Sequence, residues 1–376
     1  MTASGPIRLL GLVSQDFGEL ANTLSLVNHA PVKAQLLLPP SLQSHNANLG
    51  PHKVAGLAGP AEVLRALETF QPELLLLASG YLLGINQLLS LAQLATIVEA
   101  AQRRGVRIAT TDPFLGQWTD LRPRTLLEGA HDDTRDLRQV AALLADALHL
   151  YPAPVASAPG RQGWFNPQSV RDEDGLRTLA AVLAAGPLAL EGAFWLLVLS
   201  AQDYQQQCQL YGRARFEALL LALAEAAAHQ GRRLVGLLPP MACASLQAQT
   251  PGTATWQGHC DYDQFQAMVL CAEHAFYWNP LSNSVLARLM HERSAFCFST
   301  GHMAHAMPAL YRVACTRYFA DAPPPLVDLT ALPKGDELAA RAQAHRHALA
   351  PARQSLRALP DAGTVLAGWV RGEPSS

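Results

Sequence analysis

Short, nearly continuous apolar runs alternate with segments of helical periodicity through the first part of the chain. The runs have the length and composition of strands buried on both faces of a sheet, and they lie at residues 7–14, 32–38, 73–79 and 106–111. The intervening patterns predict helices at residues 19–28, 59–70 and 88–104. Because parallel strands need crossover connections of this length, the alternation predicts a parallel sheet with right-handed crossovers.

The same alternation returns in the second part of the chain. Strands are predicted at residues 194–200, 234–238, 253–258, 274–278 and 295–299, and helices at residues 213–230, 263–271 and 283–291. Between the two parts, a helix-like run at 134–150 precedes a Pro-, Gly- and Ser-rich stretch at 151–166, which has the composition of a linker. We therefore expect an α/β protein with two Rossmann-like domains whose mainly parallel sheets face a central cleft. The predicted bounds are 1–155 and 186–330, with a linker or surface excursion at 156–185 and a helical tail at 331–376.

Composition and charge narrow the class of protein. With 376 residues, 49% of them apolar and 15% charged, the chain has material for two buried sheets. The formal net charge is −2 and no basic stripe with interleaved aromatics is present, so nucleic acid is not an expected partner. The six cysteines include no C-x-x-C pair, the start has no basic signal region, and the longest apolar runs, 74–85 and 188–200, are too short to span a bilayer. We expect a cytoplasmic protein with no transmembrane segment.

One turn carries the clearest candidate chemistry. After the strand predicted at 274–278 the sequence reads Asn279-Pro280-Leu281-Ser282-Asn283-Ser284, and a helix pattern then begins. Ligands of parallel sheets bind beyond the carboxyl ends of the strands, where free helix N–H groups and the hydroxyls of Ser282 and Ser284 suit a diphosphate. Simple N-capping of the helix by Ser or Asn explains the same residues and stays open as the alternative.

The succession of strand, Ser- and Asn-rich turn, helix and strand in the second part resembles the glycosyltransferases of the GT-B fold. The resemblance implies a nucleotide sugar as donor substrate, no cofactor, an acceptor bound by the first domain and a donor bound by the second. It also implies that the helical tail crosses back to the first domain. The residues that it assigns to substrate binding are Ser282, Asn283 and Ser284 at the phosphates, Gln257, Gly258 and His259 at the base, and Gly301 and His302 at the sugar.

Two features depart from the GT-B pattern. Many members carry a Glu in the helix after the phosphate turn, whereas this chain has Arg288 there and Glu292 near the end of the pattern. The Gly-rich loop after the first strand is reduced to a single glycine, Gly18, which we keep as a candidate for substrate binding.

Inverting sugar transfer needs a group that takes the proton of the acceptor hydroxyl. In GT-B enzymes this group usually comes from the first domain, which makes Asp16, at the tip of the first predicted strand, our first choice for the catalytic base. Glu19 and Asp112 follow it. An Asx-turn or a helix cap explains Asp16 equally well, and a turn explains Asp112, which precedes Pro113.

Several other activities lack their sequence signatures. The chain has no P-loop, no nucleophile elbow, no H-E-x-x-H and no G-x-G-x-x-G after the first strand. His302 and His305, like His345 and His347, are close in sequence but have no third ligand at a suitable spacing, so no metal is expected. Two alternatives to a transferase stay open: a nucleotide-sugar epimerase of the GT-B fold, and a non-catalytic binding or scaffold protein.

Overall fold

The chain forms two compact units. The first comprises Met1–Ser169 and Ser355–Ser376, and the second comprises Val170–Gln354. The structure, a computed structural model, describes residues 5–14, 17–28, 30–43, 52–85, 88–112, 115, 134–154, 161–166, 172–258, 260–299, 308–319 and 324–373. Among the helices of these residues, none has the length and apolar character needed to cross a membrane.

The elements follow one another in α/β alternation. Up to residue 166 they are β1 (Ile7–Val13), α1 (Phe17–Asn28), β2 (Val32–Leu38), α2 (Pro40–Gln43), β3 (Lys53–Gly56), α3 (Pro60–Thr69), β4 (Leu74–Ala78), α4 (Gly80–Ile85), α5 (Leu91–Arg103), β5 (Arg107–Thr111), α6 (Thr134–Leu143), β6 (Leu148–Tyr151) and β7 (Arg161–Trp164). From residue 173 they are α7 (Glu173–Ala185), β8 (Phe194–Val198), α8 (Ala201–Tyr211), α9 (Arg213–His229), β9 (Arg233–Leu237), α10 (Pro240–Gln249), β10 (Ala254–Gln257), α11 (Tyr262–Cys271), β11 (His274–Tyr277), α12 (Asn283–Met290), β12 (Ala295–Phe298), α13 (Pro308–Phe319), β13 (Leu326–Val327), α14 (Gly335–Ala348), α15 (Ala350–Arg357) and α16 (Ala362–Arg371).

The first unit is built on a seven-stranded sheet in the order β3-β2-β1-β4-β5-β6-β7, with each neighbouring pair parallel. β1 lies in the interior, with Leu9 opposite Leu74 of β4 and Leu12 opposite Leu37 of β2. Leu9 and Leu12 are fully buried because interior parallel strands are covered by helices on both faces. This arrangement explains the continuous apolar runs from which the sequence analysis predicted these strands.

The last helix packs on the first unit. The indole Nε1 of Trp369 in α16 donates a hydrogen bond to the carbonyl of Ile108 in β5 at 3.0 Å. The guanidinium groups of Arg107 and Arg161 lie over the Trp369 ring, 5.2 and 5.3 Å from its centre. Such cation–π contacts stabilise a buried aromatic anchor. Helix α14, earlier in the chain, contributes Leu338 to the core of the second unit, so the tail predicted at 331–376 is divided between the two units.

The second unit has a six-stranded sheet in the order β10-β9-β8-β11-β12-β13, again with parallel neighbours. Its centre is an aromatic cluster around Phe276 of β11, whose ring lies 5.3 Å from Trp195, 5.6 Å from Phe296 and 6.0 Å from Phe298. The two parallel α/β sheets confirm the predicted fold class of two Rossmann-like units.

Two predictions for the segment at residues 134–166, which belongs to the first unit, need correction. The helix predicted at 134–150 ends at Leu143, and Leu148–Tyr151 forms β6, because this fully buried run pairs with β5. The stretch at 151–166, predicted as a linker, contains the last residue of β6 and the edge strand β7. The other edge strand, β3, was not predicted. Edge strands pair on one side only, and these two keep mostly exposed or half-exposed side chains, so they show no apolar run.

Candidate functional site

The strand order of the second sheet reverses between β8 and β11, which pair side by side. Crossover connections run in opposite directions from such a point and leave a crevice at the carboxyl edge of the sheet, where ligands of open α/β sheets bind. The segment between β11 and α12 therefore lies at the position in the second unit where a ligand is expected.

The turn between β11 and α12 is held in place at its start. Trp278 is 3% exposed, and its ring lies 4.1 Å from the ring of Phe298 and 5.2 Å from that of Phe216. Within the turn, the main-chain N–H of Leu281 donates to Asn279 Oδ1 at 2.9 Å, which is an Asx-turn. The aromatic core thus fixes where the turn begins, and Asn279 fixes its path towards the helix.

Among the residues that the structure describes, no side chain caps the N-terminus of α12. Ser282 makes no side-chain cap hydrogen bond, and its Oγ lies instead 2.7 Å from Ser284 Oγ. The N–H groups of Asn283 and Ser284 belong to the first turn, where a helix offers no internal acceptor. An anion would be stabilised here by these two N–H donors, by the positive end of the helix dipole and by the pair of hydroxyls.

Two other helix starts on the carboxyl side of this sheet are occupied by acids. At α8, Ser200 Oγ accepts from the N–H of Asp203 at 3.1 Å and donates to the Asp203 carboxylate at 2.8 Å. At α11, the carboxylate of Asp261 accepts from the N–H of Gln264 at 2.7 Å. The helix N–H is thus taken up by a serine hydroxyl at α8 and by a carboxylate at α11. At both helix starts the charge of the carboxylate repels a second anion. The first turn of α12 contains no acidic residue.

A buried cation lies on the same helix. Arg288 is fully buried, and its guanidinium donates to the main-chain carbonyls of Ser294 at 2.5 Å, Val269 at 2.5 Å and Glu273 at 3.2 Å. Burial lowers the pKa of Arg288 to about 10, so the group stays charged at neutral pH. In the sequence alone, Arg288 stands out only as a departure from the GT-B pattern. Its position explains that departure: it ties α12 to the end of α11 and to the segments before β11 and β12.

The predicted base-binding residues are placed at the far edge of the sheet. Gln257 is the last residue of β10, an edge strand, and Gly258 follows it. A Cβ atom on Gly258 would lie 2.9 Å from Cγ and 3.0 Å from Cα of Pro240, so this position requires glycine for close packing. The other predicted residues of the donor site, His259, Gly301 and His302, lie outside the described residues.

Of the candidates in the first unit, Gly18 and Glu19 lie in the first turn of α1, with Gly18 exposed and Glu19 half-buried. Asp16, the first choice for the base, lies outside the described residues. Asp112 directly follows β5 and is 4% exposed. Between the two described carboxylates, Glu19 is the more open to solvent.

A buried polar cluster surrounds Asp112. Its Oδ2 accepts a hydrogen bond from the hydroxyl of Tyr151 at 3.0 Å, and the hydroxyl of Tyr81 lies 2.8 Å from His149 Nε2. Because His149 Nδ1 faces the carbonyl of Ala147 at 3.2 Å, that nitrogen carries the proton and Nε2 accepts from Tyr81. Burial and the charge of Asp112 raise the pKa of both tyrosines, and burial lowers the pKa of His149. No sequence pattern indicates this cluster, because its members are distant in the chain: Asp112 follows β5, His149 and Tyr151 belong to β6, and Tyr81 belongs to α4.

Among the described residues, no group of three or more His, Cys, Asp and Glu side chains is arranged to hold a metal ion.

The structure is similar to solved glycosyltransferases and to a solved UDP-N-acetylglucosamine 2-epimerase. A spinosyn rhamnosyltransferase matches with a TM-score of 0.55 and 14% identity over 97% of this chain and 100% of its own. A calicheamicin glycosyltransferase matches with a TM-score of 0.53 and 10% identity over 97% of this chain and 98% of its own. The chain has a GT-B-like fold. A UDP-N-acetylglucosamine 2-epimerase from Rickettsia bellii has the same fold, with a TM-score of 0.52 and 10% identity over 98% of this chain and 96% of its own.

The sequence itself has no match among family models or curated proteins. At these identities the likeness establishes the GT-B-like fold alone, and the activity has to be argued from the site. In that fold the structure brings Ser282, Asn283 and Ser284 together at one helix start, while Gln257 and Gly258 lie three strands away.

Proposed function

We propose that this chain is a glycosyltransferase that moves a sugar from a nucleoside diphosphate donor to an acceptor. The observation that carries the proposal is the start of α12: an uncapped helix N-terminus with no acid in its first turn and a serine pair, at the reversal point of the second sheet. One solved form of the spinosyn rhamnosyltransferase is complexed with thymidine diphosphate, and it matches with a TM-score of 0.52 and 14% identity.

The start of α12 supplies what a departing diphosphate needs. Negative charge builds up on the leaving group as the bond to the sugar breaks. Fixed N–H donors at a helix N-terminus and an oriented hydroxyl stabilise such charge without reorganisation. Asn283 and Ser284 offer their N–H groups, and Ser282 and Ser284 offer hydroxyls. In this scheme the chain's own donors stabilise the leaving group.

The distance between β10 and β11 supports the proposal that the nucleobase of the donor binds at the end of β10. β10 and β11 are three strands apart, so at about 4.8 Å per strand Gln257 lies roughly 14 Å from the α12 start across the sheet. A nucleoside diphosphate bound along the carboxyl edge of the second sheet would span about this distance. We propose that Gln257, Gly258 and His259 read the base, and that Gly301 and His302 contact the sugar.

We propose that the first unit carries the acceptor and the general base. Asp16 remains the first choice, Glu19 is the described carboxylate with access to solvent, and Gly18 lies beside it. Asp112 is engaged by Tyr151, which holds one carboxylate oxygen away from any substrate. Replacing Asp16 by Asn should therefore lower turnover about 100-fold or more, Glu19→Gln should lower it less, and Asp112→Asn should act mainly on stability.

The first experiment is a thermal-shift screen with UDP-, dTDP-, GDP- and CMP-sugars, followed by calorimetric titration. A ligand present at 100 times its Kd adds about 2.7 kcal/mol to stability, which gives a clear shift. We expect at least one nucleoside diphosphate sugar to bind. If none of them binds, the transferase proposal fails and a non-catalytic binding protein takes its place.

A nucleotide-sugar epimerase is the second candidate, because an epimerase shares the fold at a TM-score of 0.52. The two activities differ in their products. An epimerase converts the bound nucleotide sugar to its epimer without an acceptor, whereas a transferase releases one nucleoside diphosphate for each glycoside formed. Proton NMR of the nucleotide sugar after incubation, with and without a mixed set of acceptor alcohols, distinguishes them.

A further inference from the structure

A large apolar side chain is exposed to solvent at the start of α10. Met241 is 63% exposed, and no large apolar side chain in the described part of the chain is more exposed. Its neighbours on the same helix behave differently, because Ala242 and Leu246 are fully buried in the core of the second unit. The packing of the second unit therefore does not explain why an apolar side chain occupies position 241.

Met241 lies at the carboxyl edge of the second sheet, which is also the edge where the donor is proposed to bind. It is the second residue of α10, and α10 begins shortly after β9 ends at Leu237. The Cα–Cβ bonds of a helix tilt towards its N-terminus. A side chain in the first turn therefore leans out beyond the ends of the strands, where ligands of parallel sheets bind.

The start of α10 packs against the residues that are proposed to read the base. The N–H of Leu238 donates to the carbonyl of Gln257 at 3.0 Å, and a Cβ atom on Gly258 would lie 2.9 Å from Cγ of Pro240. Pro240 directly precedes Met241 in the chain. The apolar surface of Pro240 and Met241 is therefore next to the main chain at Gln257 and Gly258.

The start of α10 suits an uncharged ring better than a phosphate. Pro239 and Pro240 have no N–H to donate, and among the described residues no side chain caps this helix. The start of α12, in contrast, offers N–H groups and the hydroxyls of Ser282 and Ser284. The two helix starts thus differ as the two ends of a nucleoside diphosphate do, since one end is an aromatic ring and the other is charged.

The distance between these two helix starts fits the same ligand. β9 and β11 are two strands apart, with β8 between them. At about 4.8 Å per strand, the end of β9 lies roughly 10 Å from the turn that leads into α12. A nucleoside diphosphate with its phosphates at the start of α12 would therefore place its base over the ends of β9 and β10.

We infer that Met241 packs on one face of the nucleobase whose edge is read by Gln257 and Gly258. The inference rests on the proposed function, since it assumes that the second unit binds a nucleoside diphosphate sugar. The thioether of methionine is polarizable and makes favourable contacts with aromatic rings. Because every base has a π-face, Met241 adds affinity for the nucleoside without selecting one base over another.

The first test compares Met241→Ala with the unchanged full-length chain by calorimetric titration with UDP, dTDP and GDP. Loss of the apolar contact should weaken binding of the preferred nucleoside diphosphate roughly three- to tenfold, whereas Met241→Leu should retain most of the affinity. The melting temperature of the free protein should not change, because the side chain is exposed. A Met241→Ala variant that binds as tightly as the unchanged chain would overturn the inference.

Val182→Ala is the matched control, because it also shortens an exposed apolar side chain of the second unit. Val182 is 40% exposed and lies near the end of α7. The segment after α7 reaches the amino edge of the sheet, where Arg233, the first residue of β9, donates to the carbonyl of Leu188 at 3.3 Å. Val182→Ala should therefore leave the affinity for the nucleoside diphosphate unchanged.

Inorganic pyrophosphate separates contact with the base from an indirect effect on the phosphate site. Its affinity is measured by displacement of the bound nucleoside diphosphate. Met241→Ala should leave the affinity for pyrophosphate unchanged, whereas Ser282→Ala with Ser284→Ala should weaken the binding of both ligands. If Met241→Ala weakened pyrophosphate as much as the nucleoside diphosphate, Met241 would act on the phosphate site and the inference would be wrong.

NMR of the methionine methyl groups observes the contact directly. The chain has six methionines, and the signal of Met241 is the one that disappears in Met241→Leu. A methyl group on the face of an aromatic ring is shifted upfield by the ring current. The preferred nucleoside diphosphate should shift the Met241 signal upfield and pyrophosphate should not, and an unshifted signal in the saturated complex would contradict the inference.

The outcomes separate the two proposals. If UDP, dTDP and GDP all fail to bind the unchanged chain, the proposed function and the role of Met241 are both wrong. If one of them binds the unchanged chain but neither its affinity nor the methyl signal depends on contact with Met241, only the role of Met241 is wrong.

Discussion

Removing both serine hydroxyls at the start of α12 should show whether Ser282 and Ser284 bind a diphosphate or only cap the helix. In the structure the two hydroxyls hydrogen-bond to each other, and neither caps the helix. Ser282→Ala with Ser284→Ala removes both partners of one hydrogen bond together, a change that leaves no orphaned group. The free energy of unfolding should therefore fall by less than about 1 kcal/mol.

The affinity for a diphosphate should fall much further. In the proposed complex one serine hydroxyl donates to a phosphate oxygen, and a hydrogen bond to a charged group contributes about 1.5–3 kcal/mol. Since 1.4 kcal/mol is a factor of ten, the double variant should bind its nucleoside diphosphate roughly ten- to a hundredfold more weakly. Calorimetric titration gives the affinity and urea denaturation gives the stability. A variant with lowered stability and unchanged affinity would show that the serines serve the helix alone and would refute the reasoning.

Three further predictions address other parts of the chain. Gly258→Ala should destabilise the second unit by about 1–3 kcal/mol in urea denaturation, because its Cβ would lie 2.9 Å from the Pro240 ring; an unchanged midpoint would mean that the two loops can separate freely. Tyr151→Phe removes the hydroxyl that donates to the buried Asp112 at 3.0 Å and should lower the free energy of unfolding by about 1.5–3 kcal/mol in urea denaturation. A loss near zero would show that this hydrogen bond does not contribute to stability. Burial lowers the pKa of His274 from 6.5 to about 4, so the unfolded chain binds this proton more readily. The contribution of His274 to stability should therefore be constant above about pH 6.5 and decline between pH 6.5 and 4 by up to about 1.4 kcal/mol per unit, and His274→Gln should reduce the slope of the measured stability over that range.

Much of the fold could be predicted because interior parallel strands have a local signature. Strands such as β1 and β4 are covered on both faces, so nearly every position selects an apolar side chain and the run is visible without any knowledge of its neighbours. The edge strands β3 and β7 gain their hydrogen bonds from a single partner and leave much of their side-chain surface exposed, so their sequences look like loops. The apolar residues 148–151 could belong to a helix or to a strand by their pattern alone. They form a strand because they pair with β5.

The sequence alone determined the alternation of strands and helices and the turn before α12, because apolar periodicity and turn chemistry act over a few neighbouring residues. It could not determine which polar groups meet across the fold. Tyr151 and Asp112 are 39 residues apart and come together only when β5 and β6 pair. Arg288 reads as one more charge on a helix surface until packing buries it against carbonyls from three segments. In both cases the contact forms only on folding, because hydrogen bonds made by side chains depend on distances that the tertiary structure sets.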